Sequence, residues 1–349
     1  MKLTFYGGAG TVTGVNYFLE AQVVDSRVKI MVDCGLHQGG NFAEHKNFEP
    51  FPYNPQEVDF VLITHSHVDH IGLLPKLVKA GFRGRVFSTA ATRDFAELML
   101  LDSEHLLAKE ADRERAPLLY DEQDISHLMK LWEGVDYHAL LDLKGVSAEF
   151  FDAGHILGSA FIKITAEGKT IVFSGDLGNY PAPIIKTTEE IPEANYCVIE
   201  STYGDRVHAN VDKRREELED AIEETVKSGG TLVVPAFAME RTQQLLFELN
   251  ELVEGGRIPK VPVYIDSPLA IHLTEIYKKY RKQFNPAVSA MIKGGDDILD
   301  FPGLHFTLTT EESKSINDIQ PPKVVIAGSG MSHGGRILHH EQRYLPDPH

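Results

Sequence analysis

The sequence predicts an α/β protein built in two parts, and three observations carry that prediction. Short apolar, strand-like runs alternate with turns and helices from Met1 to about Thr202. Beyond about residue 210 a more regular strand–helix alternation takes over. A dense cluster of histidines and acids interrupts the first part at a strand-to-helix turn. With 349 residues, 42% hydrophobic and 24% charged, the chain has room for two domains of ordinary size.

The elements follow in order. Residues 1–8 read as a first strand entering a glycine-rich turn, without the apolar stretch of a secretory signal. Residues 28–33 and 60–64 read as buried strands, and apolar spacing of three and four predicts helices over 69–80, 90–111 and 121–132. The charge-rich stretch 109–117, stopped by Pro117, reads as a solvated helix end and loop. Strands resume at 147–152, 160–166, 170–174 and 196–200. A boundary near 203–210 precedes helix 212–228, strand 231–234, helix 239–254, strand 261–265, helix 268–282, strand 323–327 and helix 335–344, a pattern that predicts a parallel α/β domain. There are no internal repeats or low-complexity tracts.

No run approaches the ~18 apolar residues that cross a bilayer, so no membrane partner is expected. Cys34 and Cys197 both sit in apolar runs and read as reduced, buried thiols, which points to the cytoplasm. The formal net charge is −17, from 34 basic and 51 acidic residues. That balance argues against a broad basic coat for nucleic acid, but not against a cleft in which metals and a few arginines supply positive charge.

The strongest local signal is Thr64-His65-Ser66-His67-Val68-Asp69-His70-Ile71-Gly72. Three imidazoles and a carboxylate within six residues are poor core material, because each carries polar atoms that must be satisfied when buried. Imidazole with carboxylate is the donor set expected for zinc or a similar first-row cation.

His65-x-His67-x-Asp69-His70 resembles the signature of the metallo-β-lactamase superfamily, and the remaining motifs occur in order. Asp33, in Val32-Asp33-Cys34-Gly35, resembles the first; His155, in Gly154-His155-Ile156, the third; and Asp176, in Ser174-Gly175-Asp176-Leu177, the fourth. The resemblance implies an αββα sandwich and two zinc ions. His65, His67 and His155 would hold one zinc, Asp69 and His70 would belong to the second, and Asp176 would bridge both. Asp33 would orient ligands without touching metal. Two cations so placed share a water and lower its pKa, with Asp69 and Asp176 holding it in line.

The later segments select a branch. Glu200-Ser201-Thr202-Tyr203-Gly204-Asp205-Arg206-x-His208 resembles the first extra motif of the nucleic-acid-processing β-CASP branch, with Glu200 at its acidic, catalytic position and His208 at a position beside the cleft. Residues 235–243 and 266–270 look like further blocks of that branch, and residues 328–336 are similar to the glycine-rich segment of its RNA-processing members. Independently of the resemblance, Gly330, Gly334 and Gly335 ahead of a helix would let backbone N–H groups approach an anion, and Arg336 offers a planar fork for phosphate. Arg206 and Arg241 are weaker candidates for the same role.

The resemblance therefore implies a metallo-β-lactamase domain over 1–203, lacking its last strands, and an inserted parallel α/β β-CASP domain over 204–349 that forms a lid on the metal face. The branch carries two further histidine motifs past residue 349, so the chain reads as C-terminally truncated, with its second zinc site incomplete. The implied activity is zinc-dependent hydrolysis of RNA, single-stranded in the leading reading, with a homodimer left open. Two alternatives stand beside it: a DNA-processing or small-ester and thioester hydrolase on the same metals, and a non-catalytic scaffold of RNA processing.

Overall fold

A computed structural model describes residues 1–24, 26–40, 44–115, 117–207 and 213–347. The chain divides into two compact units, Met1–Gly204 and Asp205–His349.

The first unit stacks two sheets. One has the order β1-β2-β3-β4-β5-β6, with β1 Lys2–Gly7, β2 Asn16–Val23, β3 Ser26–Val32, β4 Phe60–Leu62, β5 Arg85–Thr89 and β6 Trp132–Val135. β1 to β3 are antiparallel, and β3 to β6 run parallel. The other has the order β11-β10-β9-β8-β7, with β7 Leu141–Leu143, β8 Val146–Asp152, β9 Ala160–Ala166, β10 Lys169–Phe173 and β11 Tyr196–Val198.

Period-two burial explains the stacking. Along β8, Val146, Ala148, Phe150 and Asp152 are buried in alternation. Val146, Ala148 and Phe150 meet Leu19, Ile30, Leu62 and Phe87 of the first sheet in one core. The opposite face of the first sheet buries Met31, Val61 and Val86 against Leu77, Leu100, Ile125 and Leu128 of its helices. Over the described residues, the outer face of the second sheet packs Phe161 and Val172 against Leu177, Ile191 and Ala194.

Local chemistry reshapes some predicted elements. The helix expected over 69–80 is two, Val68–Ile71 and Leu74–Lys79, because Pro75 has no N–H to donate and restarts the helix in its first turn. The next helix, Ala90–Glu114, runs through most of the charged stretch and ends on Arg115 in the left-handed region. Strands β2, β5, β6 and β7 carry no strong period-two signal and were not expected. Cys34 is buried as expected, but Cys197 is exposed. It lies on β11, which pairs only with β10 among the described residues and so has one open edge.

The second unit is a four-stranded parallel sheet of order β12-β15-β13-β14, with β12 Thr231–Pro235, β13 Val263–Asp266, β14 Leu304–Phe306 and β15 Lys323–Ala327. Its organising group is Asp266, fully buried at the C-terminal end of β13. One carboxylate oxygen accepts from Thr307 Oγ1 at 2.7 Å and an Arg336 terminal nitrogen at 2.7 Å. The other faces Ser313 Oγ and His340 Nε2, each at 2.7 Å. Burial alone would raise the pKa of Asp266, but donors from His340, Ser313, Thr307 and Arg336 outweigh it and bring it to about 2. No helix among the described residues is long and apolar enough to cross a membrane.

Removing this carboxylate takes from four donors the acceptor they share. Asp266→Ala is expected to cost the second unit about 3–5 kcal/mol, read as a lower unfolding midpoint in urea. Because the folded pKa lies below the ordinary carboxylate value, the contribution is whole above about pH 4 and fades as pH falls toward 2. A variant that unfolds with the wild-type midpoint at pH 7 would remove Asp266 from this role.

Candidate metal centre

All the predicted ligands of the first unit follow strand ends. β3 leads into Asp33, β4 into Thr64 and the histidine cluster, β8 into the turn carrying His155, and β10 into Asp176. Backbone bonds hold these segments together. Cys34 N donates to His70 O at 2.7 Å, Leu36 N to Val68 O at 2.9 Å and Ala160 N to Thr64 O at 2.7 Å. A side chain at Gly35 would collide with the backbone oxygen of Asp69, so only glycine allows this approach. Ser159 Oγ accepts from the amides of His155 (3.0 Å) and Ile156 (3.2 Å), shaping the turn that carries the imidazole.

The side chains converge. His65 Nε2 lies 3.0 Å from His67 Nδ1, and His67 Nδ1 lies 3.2 Å from His155 Nε2. Ligand atoms of His65, His67, His155 and Asp176 all fall within 4.8 Å of one another. Nitrogens bound tetrahedrally to one zinc at 2.0–2.1 Å would stand about 3.3 Å apart, so the donor spacing fits such a cation. Burial, with the neighbouring imidazoles, pushes the pKa of His65 far down and that of His67 to about 4, and burial also lowers that of His155. Neutral rings keep the lone pairs that a cation needs.

Asp176 faces two ways. Its Oδ2 lies 3.6 Å from His65 Nε2 and 3.5 Å from His155 Nε2. Its Oδ1 lies 3.3 Å from His70 Nε2, which is itself 3.8 Å from Asp69 Oδ2. Burial would raise the pKa of Asp176, but the bond to His70 and the other imidazoles outweigh it and bring it to about 2. Burial likewise opposes the charge on His70, yet Asp33 and Asp176 hold its pKa well above the usual value.

Behind the ligands, Asp33 is fully buried with φ 58°, a region where aspartate is better tolerated than most residues. Its carboxylate accepts from Thr64 N at 2.8 Å, Thr64 Oγ1 at 2.7 Å and His70 Nδ1 at 2.7 Å. Thr64 Oγ1 in turn lies 3.1 Å from His65 Nδ1. With its proton given to Asp33, the hydroxyl can only accept from His65, which puts the His65 proton on Nδ1 and leaves Nε2 free to face the other ligands. The sequence reading missed Thr64; its one signal is a hydroxyl adjoining the first histidine at the end of an apolar strand.

The remaining predicted residues separate. Glu200 is beside the Asp176 loop: its carboxylate accepts from Leu177 N at 3.3 Å and Thr202 N at 3.1 Å. Arg206, Arg241, Gly330, Gly334, Gly335 and Arg336 all lie in the second unit. Arg206 is exposed and pairs with Asp205. Arg336 is not the open fork expected for phosphate. Its terminal nitrogens bond Asp266 Oδ1 (2.7 Å), Thr307 O (3.0 Å) and Leu308 O (2.9 Å), which ties it into the loop ends of its own sheet. His208 lies outside the described residues.

Comparison with known proteins follows the same division. Residues 23–180 match the Metallo-beta-lactamase superfamily domain, and residues 242–349 match the Beta-Casp domain. Ribonuclease TTHA0252 of Thermus thermophilus is 36% identical over the whole chain, which covers 77% of that protein. The Cleavage and polyadenylation specificity factor subunit 3-I of Arabidopsis thaliana is 32% identical over 87% of the chain. Transcription termination factor FttA of Methanosarcina mazei is 30% identical over 100% of it. The chain spans 43% and 54% of the lengths of these last two. A solved protein of unknown function from Enterococcus faecalis V583 shares the fold at a TM-score of 0.53 and 11% identity, covering 94% of this chain and 77% of that one.

The Thr64 hydroxyl gives the centre a test. Thr64→Val keeps the shape and removes the bonds to Asp33 and His65; zinc affinity, measured by competition with a chromophoric chelator, is expected to fall about 10- to 100-fold. Thr64→Ser retains the hydroxyl and should stay near wild type. Equal affinity in the valine variant would show that Thr64 orients nothing.

Proposed function

The chain belongs to the β-CASP branch of the metallo-β-lactamase superfamily, and we propose from that premise that it is a zinc-dependent ribonuclease cutting single-stranded RNA. The observation that carries the proposal is the two-sided Asp176, with Oδ2 toward His65 and His155 and Oδ1 toward His70. A carboxylate so placed suits a bridge between two cations. The names of the relatives, a ribonuclease, a cleavage and polyadenylation specificity factor subunit and a transcription termination factor, support RNA as the substrate.

In this reading His65, His67, His155 and Asp176 would hold one zinc, and Asp69, His70 and Asp176 the other. Bound there, the cations would lower the pKa of a shared water and neutralise phosphate oxygens as water attacks phosphorus and the P–O bond to the leaving oxygen breaks. The protein's own part is positioning. Asp33 and Thr64 fix the ring nitrogens of His70 and His65, and Asp69 and Asp176 orient the attacking water. Glu200, whose carboxylate accepts from Leu177 N, would hold the Asp176 loop in place and offer a carboxylate near that loop.

Asp176→Ala is expected to lower cleavage of end-labelled RNA about 1,000-fold or more, as the loss of several kcal/mol of charge stabilisation implies, with an unchanged circular dichroism spectrum. A folded variant that still cuts at the wild-type rate would end the bridging mechanism. Wild-type enzyme that prefers DNA or a small ester to RNA would end the substrate assignment.

The two ligand sets differ in size, four protein donors against three. Calorimetric titration of metal-free protein with zinc should therefore resolve a tighter and a weaker class of site. Two equally tight equivalents bound by this chain would refute the division into a four-donor and a three-donor set.

A further inference from the structure

We infer that Phe237, in the second unit, is a stacking platform for a nucleobase of the RNA strand, with Arg241, four residues on, for the adjoining phosphate; this rests on the ribonuclease reading above. Phe237 follows β12 at the C-terminal edge of the parallel sheet, the edge at which open α/β sheets take their ligands. Phe237 is 55% exposed, and Met331, on the neighbouring loop after β15, is 62% exposed. Large apolar groups left open at such an edge point to a contact made by something else.

The exposure is built rather than incidental. Ala236 N donates to Ala327 O at 3.0 Å, fixing the chain before the ring. The Phe237 carbonyl accepts from Thr242 Oγ1 at 2.7 Å and Thr242 N at 3.3 Å, fixing the chain after it. Gly330 lies against the ring itself: a Cβ there would stand 2.8 Å from Phe237 Cδ2 and 2.9 Å from Cγ. The glycine in this loop thus lets the backbone press on one side of a ring that remains more than half open. A rigidly held, exposed aromatic is what base stacking requires, because every base offers a π-face and little ordering entropy is left to lose.

Charge selects a nucleotide over a purely apolar partner. Arg241, four residues on, opens the helix Arg241–Glu254 and is exposed, in a chain whose net charge is −17. A ring for the base and, four residues on in sequence, a guanidinium for the phosphate match the two chemical halves of a nucleotide. The glycine-rich segment then contributes by shaping the platform through Gly330, while its arginine is held by Asp266.

The test uses binding of a fluorescein-labelled, uncleavable 2′-O-methyl oligoribonucleotide, followed by anisotropy on the full chain. Phe237→Ala should weaken binding roughly 5- to 150-fold, the range for loss of one base–aromatic stack. It should also raise KM for cleavable RNA more than it lowers kcat. Phe237→Trp should bind at least as well as wild type, and its added indole fluorescence should be quenched by the oligonucleotide. Wild-type affinity in the alanine variant, or an unquenched indole in a variant that binds, overturns the platform and leaves the ribonuclease reading standing. A wild-type protein that neither binds nor cuts RNA overturns both.

Discussion

The first unit depends on one electrostatic constraint: several imidazoles must aim their nitrogens at a common point, inside the protein, without taking up protons. His65 Nε2, His67 Nδ1 and His155 Nε2 approach to 3.0–3.2 Å, a spacing that protonated rings could not hold. Burial does part of the work by disfavouring the charged forms. Geometry does the rest, because each ring needs a partner that fixes which nitrogen carries its proton. Asp33 and Thr64 are that partner for one ligand on each side of Asp176, which explains why an aspartate is kept fully buried at a left-handed backbone position.

The two units solve a similar problem with a similar device. A carboxylate buried at a strand's C-terminal end must collect several donors, since an unpaired buried charge is costly. Asp33 gathers donors from the loop after β4 and from the histidine cluster. Asp266 gathers them from the loop after β14, the helix Thr310–Ser315, and the helix Ile337–Tyr344. In both cases one acid fixes the loops around it, and the residues on those loops inherit their precision from the acid.

Much of the candidate centre was legible because its converging side chains are short-range neighbours or close strand ends. The run from His65 to His70 advertises itself through donor density, and the strands leading to Asp33, His155 and Asp176 are apolar enough to be placed. What stayed hidden depends on contacts between distant segments. The role of Thr64 exists only when β3 and β4 lie side by side. Arg336 reads as a free fork until Asp266, 70 residues away, is brought against it. Short elements such as β14 and the helix Thr310–Ser315 are too brief for a periodic signal, and their place is set by the sheet beside them and by the capping box at Thr309 and Glu312.

Acidity and an RNA substrate are compatible if contact is made at a few points. A protein that gathered RNA by counterion release would bind every strand about equally and would need a broadly basic face, which a net charge of −17 does not provide. In the proposed reading, metal contact at the scissile phosphate and stacking on Phe237 would act over a few ångströms and would not need that face. The surrounding negative charge then works in their favour, since it opposes strands that lie on the surface without reaching either point. Repulsion everywhere else would make those two proposed contacts selective.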